Sequence, residues 1–348
     1  MKNAKFDLIF CTWYGEPDYN GGVERHAICL DLGGTNLKGG IVSESGTLTM
    51  HRSTASEVNR GRERILQNLI DMTAGLLREG ENSSIHLEGV GVSTPGIIDT
   101  TFGGLTGGAV NLPGWSNTPF MRVLHEHFGL PVFAHNDVTA TALGEATYGA
   151  GVGMRHVIMV SVGTGIGGGI IIDGKLYEGG TGYAGEIGHL VAVAGGHRCN
   201  CGIRGCWEEY AALRGILRTA EQFLAQDREK ESIVHSMLEV EPLSPRLVFD
   251  AARGGDPLAR RIVDEIGKNT AVGIGSLINI FDPEMVIVGG GIAEAGSIYM
   301  NAIKSHIQEW TLEDSLEGVR LVLAKLGSRA GIFGAAALVF RNINRYMK

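Results

Sequence analysis

Three cysteines and one histidine form the strongest chemical pattern in the chain. His189, Cys199, Cys201 and Cys206 follow H-x9-C-x-C-x4-C, with three of the five cysteines inside eight residues. Thiolate and imidazole are the donors tetrahedral Zn²⁺ prefers, and four protein ligands leave no open position for water. The pattern therefore predicts a structural zinc, with Gly202 and Gly205 permitting a tight knuckle. The competing reading is three free cysteines and an unrelated histidine. Free cysteines are usually buried singly inside elements, whereas these sit in a polar loop with Arg198, Asn200 and Arg204. His197 is an alternative ligand, or a solvated loop histidine.

Glycine carries the second signal. There are 53 glycines in 348 residues, about twice the usual ~7%. They follow no triplet period and cluster inside apolar runs. Asp31, Gly33, Gly34, Thr35, Asn36 and Lys38 lie where one apolar run ends and another begins. A two-glycine tip lets backbone N–H groups face an anion with no Cβ in the way. Thr35 adds a hydroxyl, Lys38 a counter-charge, and Asp31 a carboxylate able to hold hydrated Mg²⁺ beside phosphates. A plain hairpin with left-handed glycines is the alternative. The stretch 163–169, with Thr164 and Gly165, has more small residues than a turn needs. A third tip, 289–291, includes Gly290 and Gly291. Neither GxGxxG opening a helix nor GxxxxGK[ST] occurs, which disfavours Rossmann and Walker folds. Three glycine tips, each after an apolar run, point jointly to a nucleotide in a cleft between lobes.

Asp137 follows Asn136 at the end of an apolar run, where α/β folds place their chemistry. Its carboxylate could accept a proton from an alcohol; helix capping is the commoner fate of such an Asp. Glu186 and Glu208 flank the zinc pattern, so a zinc loop would hold both near one site. Solvated surface charges are the alternative.

Positioning these residues requires alternating strands and helices. Strands are predicted at 27–32, 37–42, 87–93, 131–134, 157–162, 170–173, 285–288 and 319–324. Helical spacing covers 62–78, 119–128, 138–148, 208–227, 247–253, 256–281, 298–310 and 330–347. Both halves open with strand, glycine loop, strand, near Asp31 and near Ser161. The expected division is an irregular leader at 1–26, an N-terminal α/β lobe at 27–148 closed by helix 330–348, and a C-terminal α/β lobe at 149–329 containing the zinc loop. At 44% apolar and 20% charged residues, disorder is excluded as the main state. A net charge of −8 argues against non-specific nucleic-acid or membrane-surface binding, since both partners are anionic. The uncharged, mostly apolar stretch 157–172 has 16 residues, short of the ~20 a spanning helix needs. No signal-peptide pattern opens the chain, and the expected location is cytoplasmic.

Taken together, Asp31 to Lys38, Asn136 with Asp137, the loop 163–169, the E-x-G-H of Glu186 to His189 and the C-x-C-G-x-x-G-C-x-E of Cys199 to Glu208 resemble the ROK family (repressors, open reading frames, kinases). The resemblance spans about 27–340 and implies an actin/hexokinase/Hsp70-like fold of two ribonuclease-H-like lobes with an interlobe cleft. It implies Asp137 as general base on a sugar hydroxyl, and Asn111, Asn136, Glu186, His189 and Glu208 as sugar ligands. His189 would give one ring nitrogen to zinc and one to sugar. Gly33, Gly34, Thr35, Asn36, Thr164 and Gly165 would hold the phosphates of ATP, and Gly290 and Gly291 would line the adenosine side. The region from Gly96 to Trp115 matches the sugar-side loop. ROK repressors carry an N-terminal helix-turn-helix, for which 1–26 is too short and irregular. The implied activity is ATP-dependent phosphorylation of the 6-hydroxyl of glucose or a related hexose. An N-acetylmannosamine or N-acetylglucosamine kinase is the alternative, because Asn36 follows the Gly-Gly-Thr. A non-catalytic sugar-sensing ROK protein is the alternative of another class. Expected partners are the sugar and ATP, with Mg²⁺ and structural Zn²⁺, in a homodimer or homotetramer.

Overall fold

In this computed structural model residues 24–346 are described, apart from 110 and 230. Most of the expected leader lies outside them. The chain divides into two compact units. One comprises residues up to Gly153, Lys175–Tyr183 and the chain from Ser328 onward; the other comprises Met154–Gly174 and Ala184–Gly327.

The first unit is built on β1 (His26–Leu32), β2 (Asn36–Ser43), β3 (Leu48–Ala55), β4 (Leu87–Thr94) and β7 (Val132–Asn136), in the order β3-β2-β1-β4-β7. β1 and β2 pair antiparallel, with Asp31 opposite Lys38, while β1–β4 and β4–β7 are parallel. Ile28, Leu30, Leu37 and Ile41 of the hairpin pack with Ile65, Leu69 and Leu76 of α1 (Arg62–Asn82) in one core. A small hairpin, β5 (Ile97–Asp99) with β6 (Gly104–Gly107), and α2 (Phe120–Phe128) complete this side. α3 (Asp137–Tyr148) and the closing helix α11 (Ala330–Tyr346) cross closely because glycine sits where they meet. A Cβ on Gly334 would overlap the Ala140 carbonyl, and one on Gly91 of β4 would overlap that of Ala335.

In the second unit, β8 (Val157–Val162) and β9 (Ile166–Ile172) pair antiparallel. β11 (Met285–Gly289) runs parallel to β8, and β12 (Arg320–Leu323) parallel to β11. The short β10 (Lys175–Leu176) lies in the segment grouped with the first unit. That segment, 175–183, was expected with the C-terminal lobe. α8 (Pro257–Phe281) lays Ile262, Ile266, Ile274 and Ile278 in one core with Val160, Val286 and Val288. α4 (Glu208–Ala211), α5 (Leu213–Gln226), α6 (Ile233–Met237), α7 (Pro245–Arg253), α9 (Ser297–His306) and α10 (Glu313–Glu317) supply the rest. In each sheet the first strand of an antiparallel hairpin, β1 or β8, also pairs with a parallel neighbour.

Three expectations change. β3 was not foreseen: it is an edge strand whose residues are mostly exposed, so it carries no alternation to read. Residues 167–169 are not loop but the body of β9. A Cβ on Gly168 would lie 2.5 Å from Ile187 Cδ1, so that glycine serves packing rather than a phosphate. The helix expected over 208–227 breaks at Ala212, which is extended, and the backbone of Tyr210 occupies the space a Cβ on Gly215 would need. Among the described residues no helix is long and apolar enough to cross a membrane.

Candidate functional site

In the first unit, the carboxyl ends of β1 and β7 carry the two acidic candidates. Asn136, the last residue of β7, is the N-cap of α3: its Oδ1 accepts from the N–H groups of Val138 (3.0 Å) and Thr139 (3.3 Å). Its amide donates to the Gly96 carbonyl at 3.3 Å, holding the start of the loop that follows β4. The capping role foreseen for Asp137 therefore belongs to its neighbour. Asp137 Oδ1 accepts only locally, from Val138 N–H at 3.0 Å. Burial pushes the Asp137 carboxyl above its ordinary value, and the nearby Asp31 charge adds to the shift. Asp31 is itself raised by burial, against a Ser93 hydroxyl that donates to its Oδ1 at 3.0 Å. It lies against the first turn of α11, where a Cβ on Gly331 would overlap its carboxylate. Among the described residues Asp31 has no ion pair within 4.0 Å, because Lys38 Nζ instead donates to the Ser328 carbonyl at 2.7 Å. A half-buried carboxylate that feels the Lys38 charge but has no directly paired cation among the described residues suits a divalent metal such as Mg²⁺.

The first glycine tip is a tight hairpin closed by Gly33 N–H to the Asn36 carbonyl at 2.9 Å. Gly33 and Gly34 are both outside the left-handed region. A Cβ on Gly34 would meet nothing closer than the exposed turn at Asn111, whose carbonyl lies 3.6 Å away. Neither backbone strain nor crowding requires glycine at 34.

In the second unit the same test separates the glycines. A Cβ on Gly163 or on Gly291 would meet open space, and neither residue has a left-handed backbone. Gly290 is left-handed and closely packed on Val162, so it holds the turn that exposes Gly291. Thr164 is exposed at the tip of β8–β9. A Cβ on Gly165 would come within 2.6 Å of Glu208 Oε2, so the hairpin tip and the start of α4 are in contact.

The zinc residues converge. One ligand atom from each of His189, Cys199, Cys201 and Cys206 lies within 4.8 Å of every other. Cys201 Sγ is 3.6 Å from Cys206 Sγ, and Cys199 Sγ is 3.8 Å from His189 Nδ1. Those are the edges, about 3.6–3.8 Å, of a tetrahedron with Zn–S near 2.3 Å and Zn–N near 2.0–2.1 Å. The donor set and spacing fit zinc. Gly202 and Gly205 are both left-handed, as the knuckle needs. His197 is not in the cluster; its ring lies against Tyr210, with centroids 5.3 Å apart.

The knuckle fixes the residues on either side of it. Gly188 presses onto β9, where a Cβ would overlap the Ile166 carbonyl. Trp207, fully buried, donates from Nε1 to the Asn269 carbonyl of α8 at 2.9 Å. Glu209, also buried, pairs with Arg214 and Arg218 and so anchors α4. Glu208 consequently faces the cluster, with Oε1 3.8 Å from His189 Nδ1 and 3.0 Å from Cys199 Sγ. His189 turns Nε2 the other way, 3.9 Å from Glu186 Oε2. Glu186 is 64% exposed and Glu208 only 14%. One ring nitrogen faces metal donors and the other an open carboxylate, and fixing one nitrogen sets the tautomer and direction of the other.

Sequence reasoning missed Ser93, which holds Asp31, and the pair His135 and Glu178, joined at 3.1 Å. A histidine directly before Asn136 was the available signal.

Paired sheets of this topology, with carboxylates at strand ends and glycine hairpin tips, define the two-lobed α/β class of the actin/hexokinase-like fold. The chain belongs to the ROK family, whose profile matches residues 27–342. It is 35% identical over 319 residues to the glucokinase of Thermotoga maritima, covering 91% of this chain and 98% of that one. A ROK family glucokinase from Streptomyces griseus, solved in complex with glucose and AMPPNP, superposes with a TM-score of 0.74 at 32% identity over 91% of this chain and 99% of that one. The ROK hexokinase of Thermus thermophilus gives 0.75 at 31% identity over 92% and 99%.

Proposed function

We propose that the protein is an ATP-dependent hexose kinase that phosphorylates the 6-hydroxyl of glucose. The observation that carries this reading is Asp137. It is a half-buried carboxylate whose proton affinity is raised by desolvation, released from helix capping by Asn136, at the carboxyl end of a parallel strand. The glucokinase and hexokinase relatives support the choice of substrate class.

A protonated sugar hydroxyl is a poor nucleophile. Asp137 accepts its proton as O6 bonds to the γ-phosphorus and the bond from that phosphorus to the ADP oxygen breaks; solvent later takes the proton. A general base of this kind contributes about 10²–10⁴-fold. Positioning supplies most of the rest. Asn111, Asn136, Glu186, His189 and Glu208 hold the remaining hydroxyls, each carboxylate accepting from the sugar. The tip at Gly34, Thr35 and Asn36, held in shape by the Gly33 N–H that closes the hairpin, and the tip at Thr164 and Gly165 present N–H groups and hydroxyls to the phosphates, and Gly291 leaves room for the adenosine side. Lys38, engaged by the Ser328 carbonyl, acts on the phosphates through charge alone. Asp31 would hold Mg²⁺, which supplies neutralisation of phosphate charge. His189, Cys199, Cys201 and Cys206 would hold Zn²⁺, which supplies rigidity to the segment between Glu186 and Glu208. The homodimer or homotetramer and cytoplasmic location expected of the family complete the proposal.

ADP release measured against a panel of glucose, N-acetylmannosamine, N-acetylglucosamine, fructose and allose tests it. The highest kcat/KM is expected for glucose. Preference for an N-acetylhexosamine would transfer the mechanism to another substrate. Sugar binding with no ADP release would replace the kinase by a sensing protein.

A further inference from the structure

We propose that His135 is a positioning residue with two arms, one setting the peptide before the base and one anchoring the segment that leads to Glu186. The inference rests on the kinase reading above. The Asn136 backbone N–H donates to His135 Nδ1 at 2.8 Å. A nitrogen that accepts from an amide carries a lone pair, so a neutral ring holds its hydrogen on Nε2. That same Nε2 lies 3.1 Å from Glu178 Oε1, and the carboxylate there is held below its ordinary range chiefly by this hydrogen bond. Both bonds select one tautomer, and each reinforces it.

The two arms reach different things. Asn136 is where β7 ends, opposite Thr94 of β4, and α3 begins, and its N–H donates to the preceding side chain. The peptide so fixed orients the Asn136 side chain, which caps α3 and holds the Gly96 carbonyl, and then Asp137. The second arm reaches the segment 175–183, which groups with the first unit although the chain on both sides of it belongs to the second. Glu178 lies eight residues before Glu186. His135 is 17% exposed and Glu178 47%. A pair this open to water contributes little to stability, so its effect is on position.

Side-chain length separates the arms. His135→Asn keeps an acceptor, Oδ1, in the place of Nδ1 but does not reach Glu178. His135→Gln keeps a donor in the place of Nε2 but gives Asn136 no acceptor. After glucose phosphorylation by the wild type is established, kcat and glucose KM are measured for both, with thermal melting as a control. The loss of one hydrogen bond at a positioned group gives an expected fall of about tenfold in kcat for His135→Gln with KM within about twofold. His135→Asn and Glu178→Ala are expected to raise KM about three- to tenfold with kcat within about twofold. Glu178→Gln, whose carboxamide oxygen still accepts, is expected to rescue the Glu178→Ala loss. ¹⁵N NMR of the wild type, which needs no variant, is expected to show the Nε2–H tautomer at His135. A ring proton on Nδ1, kinetics like the wild type in all variants, or the same loss in both parameters for both His135 variants overturns the inference. A wild type inert toward every hexose overturns the kinase reading and the catalytic half of this one, whereas the Nδ1–H result overturns this one alone.

Discussion

Replacing Asp137 with Asn separates chemistry from structure at the point where the mechanism is most exposed. The carboxamide has the shape of the carboxylate, and its Oδ1 can still accept from Val138 N–H, now at 3.0 Å. Asn136 keeps the helix cap. What is lost is the proton acceptor, worth about 10²–10⁴-fold, or about 2.7–5.4 kcal/mol of barrier at about 1.36 kcal/mol per decade. Stability should move the other way. Burial raises the Asp137 carboxyl, with Asp31 adding to it, so the folded state binds this proton more tightly than the unfolded chain. The stability this group provides is present below the unfolded pKa and is lost as pH rises through the folded one. At neutral pH the ionised carboxylate therefore weakens the fold, and Asn removes that cost. The expected signature is a kcat down by about 10²–10⁴, glucose affinity within about threefold by calorimetry, and a melting temperature at neutral pH equal to or above wild type. A kcat within tenfold of wild type would refute the base assignment. A marked fall in melting temperature would refute the electrostatic argument.

Other consequences follow from the same geometry. The acid limb of kcat/KM should lie above the ordinary carboxylate range, because protonating a raised carboxyl disables the base; activity that stays flat down into that range would contradict it. Gly34→Ala and Gly163→Ala should melt within about 2 °C of wild type, since a Cβ meets open space or ordinary contacts, while the KM for ATP rises at least about fivefold; unchanged ATP kinetics would remove the phosphate reading of those tips. Gly188→Ala should instead lower stability by about 1–3 kcal/mol, as overpacking does, because its Cβ would overlap the Ile166 carbonyl. Metal analysis should find one zinc per chain, and Cys201→Ser or chelation should weaken glucose binding by freeing Glu186, His189 and Glu208; intact affinity after metal loss would sink that role.

Much of the site could be read from residue spacing because its constraints are local. The knuckle needs two left-handed glycines at fixed offsets between thiolates, and Gly202 and Gly205 stand there. The hairpin at Gly33 and Gly34 sits between two apolar runs that pair residue for residue. What spacing hides is which glycine serves which neighbour. Gly34 and Gly168 look alike in sequence, yet a Cβ on one would make only ordinary contact with the exposed Asn111 turn and the other makes room for Ile187. The cap was assigned one residue late because Asn136 and Asp137 are both good caps, and only the observed backbone shows whose oxygen reaches the amides. β3 escaped because an edge strand exposed along most of its length has no buried face to set a period. His135 and Glu178 are 43 positions apart, a pairing that no local pattern contains.

Phosphorus–proton correlation NMR of the product formed from glucose and ATP tests the central claim most directly. The account predicts a new phosphate ester coupled to the two C6 protons of the sugar, formed in step with ADP. Phosphorus coupled to any other sugar proton, or ADP formed with no sugar ester, would contradict it.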